Sequence, residues 1–423
     1  MQYRPRIIDS ELDALFPRIA AIALDGAKGT GKTTTARQRV DEVIALDSPA
    51  IRESVEADPE RILHLPRPLL VDEWQMVPSV WDVVRRAVDR SPEGGQFLLT
   101  GSATPRDGAT AHSGAGRIGR MRIRPMTLVE RGVCEPTVSL GQLLAGHRPP
   151  LGGESPMGLG DYAEEIVASG FPALRSLDGR ALRFALDSYL HNIVDRDVPE
   201  LGLRVRKPQS FMAWMRAYAA ATSTTASYSQ ILDAATPGQD EKPARATSIS
   251  YRDVLTDLWL LDPVPAWLPS NNLLTRLGQA PKHHLVDPAL AARLLGMGRD
   301  ALIHGDGQVV GPQPGNLVGH LFESLATLCV RVFAQASEAH VFHMRTRAGE
   351  HEVDLVVVRD DGRAVAIEVK LSSTVQNRDI QQLHWLRKQI GHNLLDAIVI
   401  TTGPAAYRRA DGIGVVPLAL LGL

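Results

Sequence analysis

The chain has 423 residues, with 46 Lys and Arg against 48 Asp and Glu and a formal net charge of -2. That balance excludes a global attraction to nucleic acid or anionic membrane and leaves any such contact to a local patch. The two cysteines, Cys134 and Cys329, are far apart, which excludes a disulfide framework and a CxxC-type zinc site. The first twenty residues lack the apolar centre of a signal peptide, and no stretch approaches the roughly 18 apolar residues of a membrane span, so a cytoplasmic chain is expected.

With domains of about 100–200 residues, two or three are expected. Up to about Arg131, short apolar runs at Ile22-Ala23-Leu24, Leu69-Leu70-Val71 and Phe97-Leu98-Leu99 alternate with helical stretches. This is the pattern of buried parallel strands in an α/β layer, and residues 1–140 are assigned to it. Residues 141–160 are rich in Gly and Pro and are expected to form a linker. Residues 161–305 carry apolar positions at three- and four-residue spacing, for example across Arg183–Val194 and Phe211–Ala221, and predict a helical section. Residues 306–423 return to α/β: a long helix over Leu317–Phe333, then strands at Glu352–Val358, Ala364–Val369 and Ala397–Thr401.

The run Ala21–Leu24 is followed by Gly26-Ala27-Lys28-Gly29-Thr30-Gly31-Lys32-Thr33-Thr34 and a helical stretch expected to reach Val43. This is the strand–loop–helix setting of a phosphate-binding loop. Gly26, Gly29 and Gly31 let the backbone, including Thr30, curl so that N–H groups face phosphates. Lys32 supplies a point charge for the β- and γ-phosphates, Thr33 a hydroxyl for magnesium, and Thr34 continues the cradle. ATP and Mg2+ are therefore the expected cofactors. A second apolar strand ends in Asp72-Glu73: Asp72 is expected to hold the metal and Glu73 to polarise the attacking water.

In the last segment, Asp354 sits in an apolar strand, and the strand Val365–Lys370 carries Glu368 and Lys370 on one face by its two-residue period. The arrangement resembles the PD-(D/E)xK nuclease core, which implies that the two carboxylates hold magnesium and that the lysine helps to position or activate water for attack on a phosphodiester. Glu323 on the preceding helix and Gln381 on the following one are further candidates for the same site, while a structural Glu–Lys pair is the plain alternative. The six tryptophans are dispersed and expected to pack cores. His283-His284 belongs to no ligand set and is expected in a surface turn.

Together these features resemble prokaryotic ATPases of the AAA+ superfamily that carry a C-terminal domain of unknown function. The residues that carry the resemblance are Tyr3-Arg4-Pro5-Arg6, the phosphate loop, Val71–Gln75, Thr100-Gly101-Ser102, Ala115-Gly116-Arg117, Ser169–Ala173, Tyr189–Pro199, Gly319–Glu323 and Glu352-Val353-Asp354. The resemblance implies that Thr100 or Ser102 senses the γ-phosphate and that Arg117 contacts phosphate in cis or from a neighbouring subunit. It also implies a helical lid with a winged-helix-like unit from Tyr228–Ala234, the Pro237-Gly238 turn and a helix over Ser248–Leu260 capped by Ser248, whose Lys242, Arg245 and Arg252 are candidates for DNA phosphates.

The expected fold class is α/β: an N-terminal parallel sheet, a helical middle section, and a C-terminal domain resembling the PD-(D/E)xK, restriction-endonuclease-like fold. The expected function is ATP hydrolysis whose nucleotide state repositions the other two parts, with DNA or a protein as partner. A slow nucleotide-gated switch with an inactive nuclease-like platform is the alternative.

Overall fold

The computed structural model describes residues 3–104, 114–203, 207–236, 245–267, 280–304, 314–346 and 349–423. Five strands, β1 (Ala21–Asp25), β2 (Glu42–Ala45), β3 (Leu69–Asp72), β4 (Phe97–Gly101) and β5 (Ile118–Arg122), form one sheet in the order β2-β3-β4-β1-β5, every neighbouring pair parallel. The central three are buried throughout because helices cover both faces. Ala21, Ala23, Leu69 and Val71 pack with Val80, Trp81 and Val84 of helix Ser79–Arg90, while Ile22, Leu24, Leu70 and Leu98 pack with Ile8 and Leu12 of helix Ile7–Leu15. The helix after the loop is shorter than expected: it spans Lys32–Ala36, with one 3-10 turn at Arg37–Arg39, and Val43 belongs to β2. The β-branched run Thr33-Thr34-Thr35 is a poor helix former, and pairing with β3 claims the residues beyond it.

The segment expected as a linker is packed. The two-residue strand β6 (Val138–Ser139) pairs with the last strand of the chain, and helix Leu140–Ala145 buries Leu140, Leu143 and Leu144. Arg148 Nε donates to the Leu395 carbonyl at 2.9 Å, and Glu154 bridges Ala405. Apolar residues at i, i+3 and i+4 override the Gly/Pro composition around them.

The middle section is helical: Leu159–Val167, Gly179–Asn192, Pro208–Ala220, Tyr228–Ala235, Arg245–Asp257 and Pro288–Leu294. Ser248 is inside a helix, not at its N-cap, and its hydroxyl accepts a bond from Trp214 Nε1 at 2.9 Å. Two antiparallel bridges, Leu261 with Leu285 and Val264 with Lys282, follow that helix. Pro237, Gly238 and Lys242 lie outside the described residues. His283 and His284 are buried, not in a surface turn, and His283 Nε2 lies 2.8 Å from the Ala226 carbonyl. Trp74, Trp81, Trp214 and Trp267 are buried, in keeping with a packing role.

The C-terminal part begins with helix Pro314–Ala336, followed by β7 (Ala339–Arg345), β8 (Glu352–Arg359) and β9 (Ala364–Val369) as an antiparallel meander. Helix Gln381–Ile390 then leads to β10 (Leu394–Thr401), parallel to β9, and β11 (Tyr407–Arg408) and β12 (Gly414–Pro417) extend the sheet before β13 (Leu421–Gly422). Contrary to expectation, Leu317–Ala336 is long and apolar enough to cross a membrane by composition, and 78% of its most apolar window is buried in the fold. It serves as the core helix under the sheet, where Leu321, Phe322, Leu325 and Phe333 pack with Leu355 and Ile367.

A buried ionic cluster joins the three parts. Asp262, from the middle section, lies 2.9 Å from Arg122 of β5, 2.8 Å from Arg124 just beyond it, and 3.0 Å from Arg331 on the long helix.

Candidate functional sites

The phosphate loop leaves the end of β1 between β4 and β5. At Gly26 an added Cβ would stand 2.3 Å from the Ile123 carbonyl oxygen, so only glycine lets β1 turn there. Gly31, at φ +97°, opens helix Lys32–Ala36 from a left-handed conformation that suits glycine. Thr30 Oγ1 closes the curl by donating to Ala27 O at 2.9 Å. Arg6 braces it from outside: Nη1 donates to Thr30 O at 2.8 Å, Nη2 to Arg124 O at 2.7 Å, and Nε to Glu130 at 2.9 Å.

Lys32 is folded into the loop, Nζ donating to Gly26 O at 2.8 Å and Ala27 O at 2.9 Å. Burial pulls its ammonium down to about 8, against the opposing pull of Glu73, Asp72 and Asp25. Thr33 Oγ1 donates to Asp72 Oδ1 at 2.7 Å, and Thr100 Oγ1 donates to the same oxygen. Strand β4 and the first turn of the helix thus converge on the carboxylate that ends β3, beside the loop. Glu73 follows in a left-handed conformation, φ 54°, rare for a residue with a side chain. Its Oε2 accepts from Ser102 Oγ at 2.8 Å and from Gln75 Nε2, aiming the carboxylate along the floor of a cavity of about 590 Å³. Lys28, Arg196 and Asp197 line that cavity with Glu73, Gln75 and Ser102. Thr34 is exposed on the first turn of the helix.

The structure brings Gly26, Gly29, Thr30, Gly31, Lys32, Thr33, Asp72, Glu73, Thr100 and Ser102 together, and leaves Arg117 apart. Arg117 precedes Ile118, which pairs with Ala21 at the start of β1, the end of the sheet opposite the loop. It is partnered by Asp89 at 2.6 Å, so a contact in cis is not formed. The helical section reaches the loop instead. Helix Gly179–Asn192 runs into a five-residue π turn, Ile193–Asp197, of the kind frequent at functional sites. Asp197 meets Lys28 Nζ at 2.5 Å, and the Tyr189 hydroxyl donates to Lys28 O at 3.1 Å. The quoted stretch Tyr189–Pro199 contains both residues, but nothing in its spacing marks them as partners of Lys28.

A second acidic cleft lies where β8 and β9 meet helix Pro314–Ala336. Asp354 Oδ2 accepts from Val369 N at 2.9 Å, and Glu368 Oε2 accepts from Lys370 Nζ at 2.8 Å. Glu368 Oε1 is buried without a hydrogen-bond partner. Burial and the neighbouring Asp354 raise the Glu368 carboxyl well above its usual range. For Asp354 burial acts upward too, but Lys282 and Lys370 outweigh it and hold the carboxyl down to about 2. Glu323 joins them, as expected, with its carboxyl raised by burial and by Asp354 to about 8. On the following helix it is Gln382, not Gln381, that lines the cleft, its Oε1 accepting from His351 Nδ1 at 2.8 Å. Lys282, which sequence reasoning missed, sits 2.8 Å from Glu323 and 3.1 Å from Asp354. On helix Arg245–Asp257, Arg252 is engaged within the protein, 2.8 Å from Asp253 and 5.1 Å over the Tyr228 ring.

Three family models match in series: one described as "AAA domain" over residues 19–131, a "Domain of unknown function (DUF8612)" over 159–301, and a "Domain of unknown function (DUF4143)" over 318–421. Two mycobacterial relatives, "Uncharacterized protein Rv2008c" of Mycobacterium tuberculosis and "Uncharacterized protein Mb2031c" of Mycobacterium bovis, are each 26% identical over 370 residues, covering 84% of this chain and 71% of theirs. Among solved structures, the Aeropyrum pernix ORC2 protein (ADPNP-ADP complexes) aligns with 75% of this chain and 91% of its own at 13% identity, with a TM-score of 0.30, too low to argue from. The AAA match spans the five-stranded parallel sheet, the phosphate loop and the Asp72-Glu73 strand end, and so places an AAA-type nucleotide-binding region in the N-terminal part.

Proposed function

We propose that the N-terminal region binds and hydrolyses ATP and that the helical section reads out its nucleotide state. The observation that carries this reading is the convergence of Thr33 and Thr100 hydroxyls on Asp72 Oδ1 beside the loop. A hydroxyl and a carboxylate oxygen side by side are the hard oxygen donors that suit magnesium, so Thr33 and Asp72 are the residues that would hold it. Bound there, the ion would offset charge on the phosphates. Lys32 leaves the carbonyls of Gly26 and Ala27 to meet the phosphates, and the backbone of Gly29–Thr34 encloses them. Glu73, oriented by Ser102 and Gln75, takes the proton of the attacking water. The test is direct: Lys32→Ala should lose tight ATP binding and turnover, whereas Glu73→Gln should bind and fail to turn over. Undiminished turnover in Lys32→Ala defeats the reading.

Coupling to the rest of the chain is supported by Lys28, a residue of the loop whose ammonium pairs with Asp197 and whose carbonyl holds Tyr189. For the C-terminal part we propose a PD-(D/E)xK-like site acting on DNA, with Asp354 and Glu368 as the carboxylates and Lys370 beside them. The order helix, antiparallel β7-β8-β9, helix, parallel β10 supports it, as does the orphan Glu368 Oε1, which a cation would satisfy. Plasmid DNA incubated with ATP and magnesium should be cut by the wild type and not by Asp354→Ala. Equal cutting, or none, favours the alternative of a nucleotide-gated switch with an inactive platform.

A further inference from the structure

Lys282 enters the acidic cleft from the middle section, on the backbone bridge it makes with Val264, and its ammonium is 1% exposed. Nζ lies 2.8 Å from Glu323 Oε1, 3.1 Å from Asp354 Oδ1 and 3.4 Å from Glu352 Oε1. A strongly hydrated ammonium is buried at this cost only where carboxylates surround it. Asp354 therefore has two differently employed faces. Oδ1 is turned to Lys282, while Oδ2, held by Val369 N–H, is 4.0 Å from Lys370 Nζ on the side of Glu368 and its unpartnered Oε1. Among the described residues no three His, Cys, Asp or Glu side chains converge as a metal-ligand set, and Glu323, which would be the third, is committed to Lys282.

A carboxylate bridging two cations is the arrangement of two-metal phosphodiester sites. We infer that Lys282 takes the place of one of those two cations, so that the cleft holds a single divalent metal ion, at Asp354 and Glu368. The inference rests on the reading of Asp354 and Glu368 as a cation site. Charge counting agrees with it. With Glu323, Asp354 and Glu368 all ionised, as cation binding would require, three carboxylates face two ammoniums, Lys282 and Lys370, which leaves one negative charge. One divalent ion turns this to one positive charge, which a single phosphodiester neutralises, and magnesium is commonly held by only one or two carboxylates with water and phosphate completing its shell. It also makes the cleft a shared site, since Lys282 lies in the segment matched at 159–301 and the carboxylates in or beside that matched at 318–421.

The test counts bound Mn2+ by electron paramagnetic resonance on the full-length, nucleotide-free chain carrying Asp72→Ala to silence the ATP site. With Lys282 present, one Mn2+ per chain is expected, and Glu368→Gln should weaken it at least tenfold. Lys282→Met, and the milder Lys282→Gln that keeps a donor for Glu323, should each bind two, with a melting temperature that Mn2+ raises. Two ions with Lys282 present would overturn the substitution and leave the cation site standing, as would one ion in both well-folded Lys282 variants. No ion with Lys282 present would overturn the cation site itself and the inference with it.

Discussion

Replacing Asp262 should be the most damaging single polar substitution in the fold, and the geometry says by how much. Its carboxylate is buried among three guanidiniums: Arg124 Nε donates to Oδ2 at 2.8 Å, while Arg122 and Arg331 approach Oδ1 at 2.9 and 3.0 Å without hydrogen-bond alignment. Burial alone would push the carboxyl up, but the three arginines outweigh it and hold it far below the usual carboxylate range. Within this cluster the count is three positive charges to one negative. Asp262→Asn leaves three with none, and breaking a buried pair in this way costs about 3–5 kcal/mol. Arg122→Met leaves two to one and removes a guanidinium whose Nε and Nη2 are buried without partners, so it should cost about 1 kcal/mol or less. Urea denaturation followed by tryptophan fluorescence measures both, since Trp259 lies 5.0 Å under Arg122. Because the folded pKa is depressed, the contribution of Asp262 is complete above the unfolded value of about 3.9 and is lost as pH falls below it. The gap between wild type and Asp262→Asn should therefore be constant from pH 5 to 8 and shrink in acid. Equal cost for the two substitutions, or less than about 1 kcal/mol for Asp262→Asn, would refute the charge-balance reasoning.

Leu143→Ala should destabilise the C-terminal part by about 2–5 kcal/mol, because Leu143 is fully buried in the segment that crosses it; a thermal scan unchanged by the substitution would return residues 141–160 to the status of a linker. ATP affinity measured by calorimetry should fall as pH rises past 8: with Lys32 titrating near 8 when free, binding above that value must take up a proton, at a cost approaching tenfold per pH unit. A flat affinity from pH 7 to 9.5 would contradict this. Glu73→Gln should lower turnover by about 10²–10⁴-fold with ATP affinity kept within a few-fold, read from single-turnover assays. Asp197→Ala should change nucleotide affinity only a few-fold, as the Lys28 side chain is 43% exposed and water can replace the lost partner, yet alter the protease sensitivity of helix Gly179–Asn192 between ATP and ADP states; identical digestion in both variants and both states would sever the loop from the helical section.

The parts of the molecule that could be read in advance are those whose chemistry is local in the chain. Gly26–Thr33 carries its own explanation, because the turn and the cradle are set within eight residues, and Asp72-Glu73 announces itself as costly charge at the end of an apolar strand. Asp354, Glu323, Glu368 and Lys370 were legible through the two-residue period of β9 and the apolar helix before it. What joins these pieces was not legible, since it depends on side chains that meet only when distant elements pack. Asp262 looks like any acidic residue after a helix until Arg122, Arg124 and Arg331 surround it, and Lys282 looks like a surface lysine beside two histidines until the Val264 bridge buries all three. Gly/Pro content misled at 141–160, where Leu140, Leu143 and Leu144 already held the helical spacing that decides the matter. The same contrast bears on how the protein works: the chemical groups sit in locally encoded loops, strands and one helix, and the middle section links the ATP site to the acidic cleft through Lys28–Asp197, Asp262 and Lys282. A variant that severs Lys28–Asp197, which touches neither the cleft nor the Asp262 cluster, should therefore leave the chemistry at both ends intact and change only how one end responds to the other.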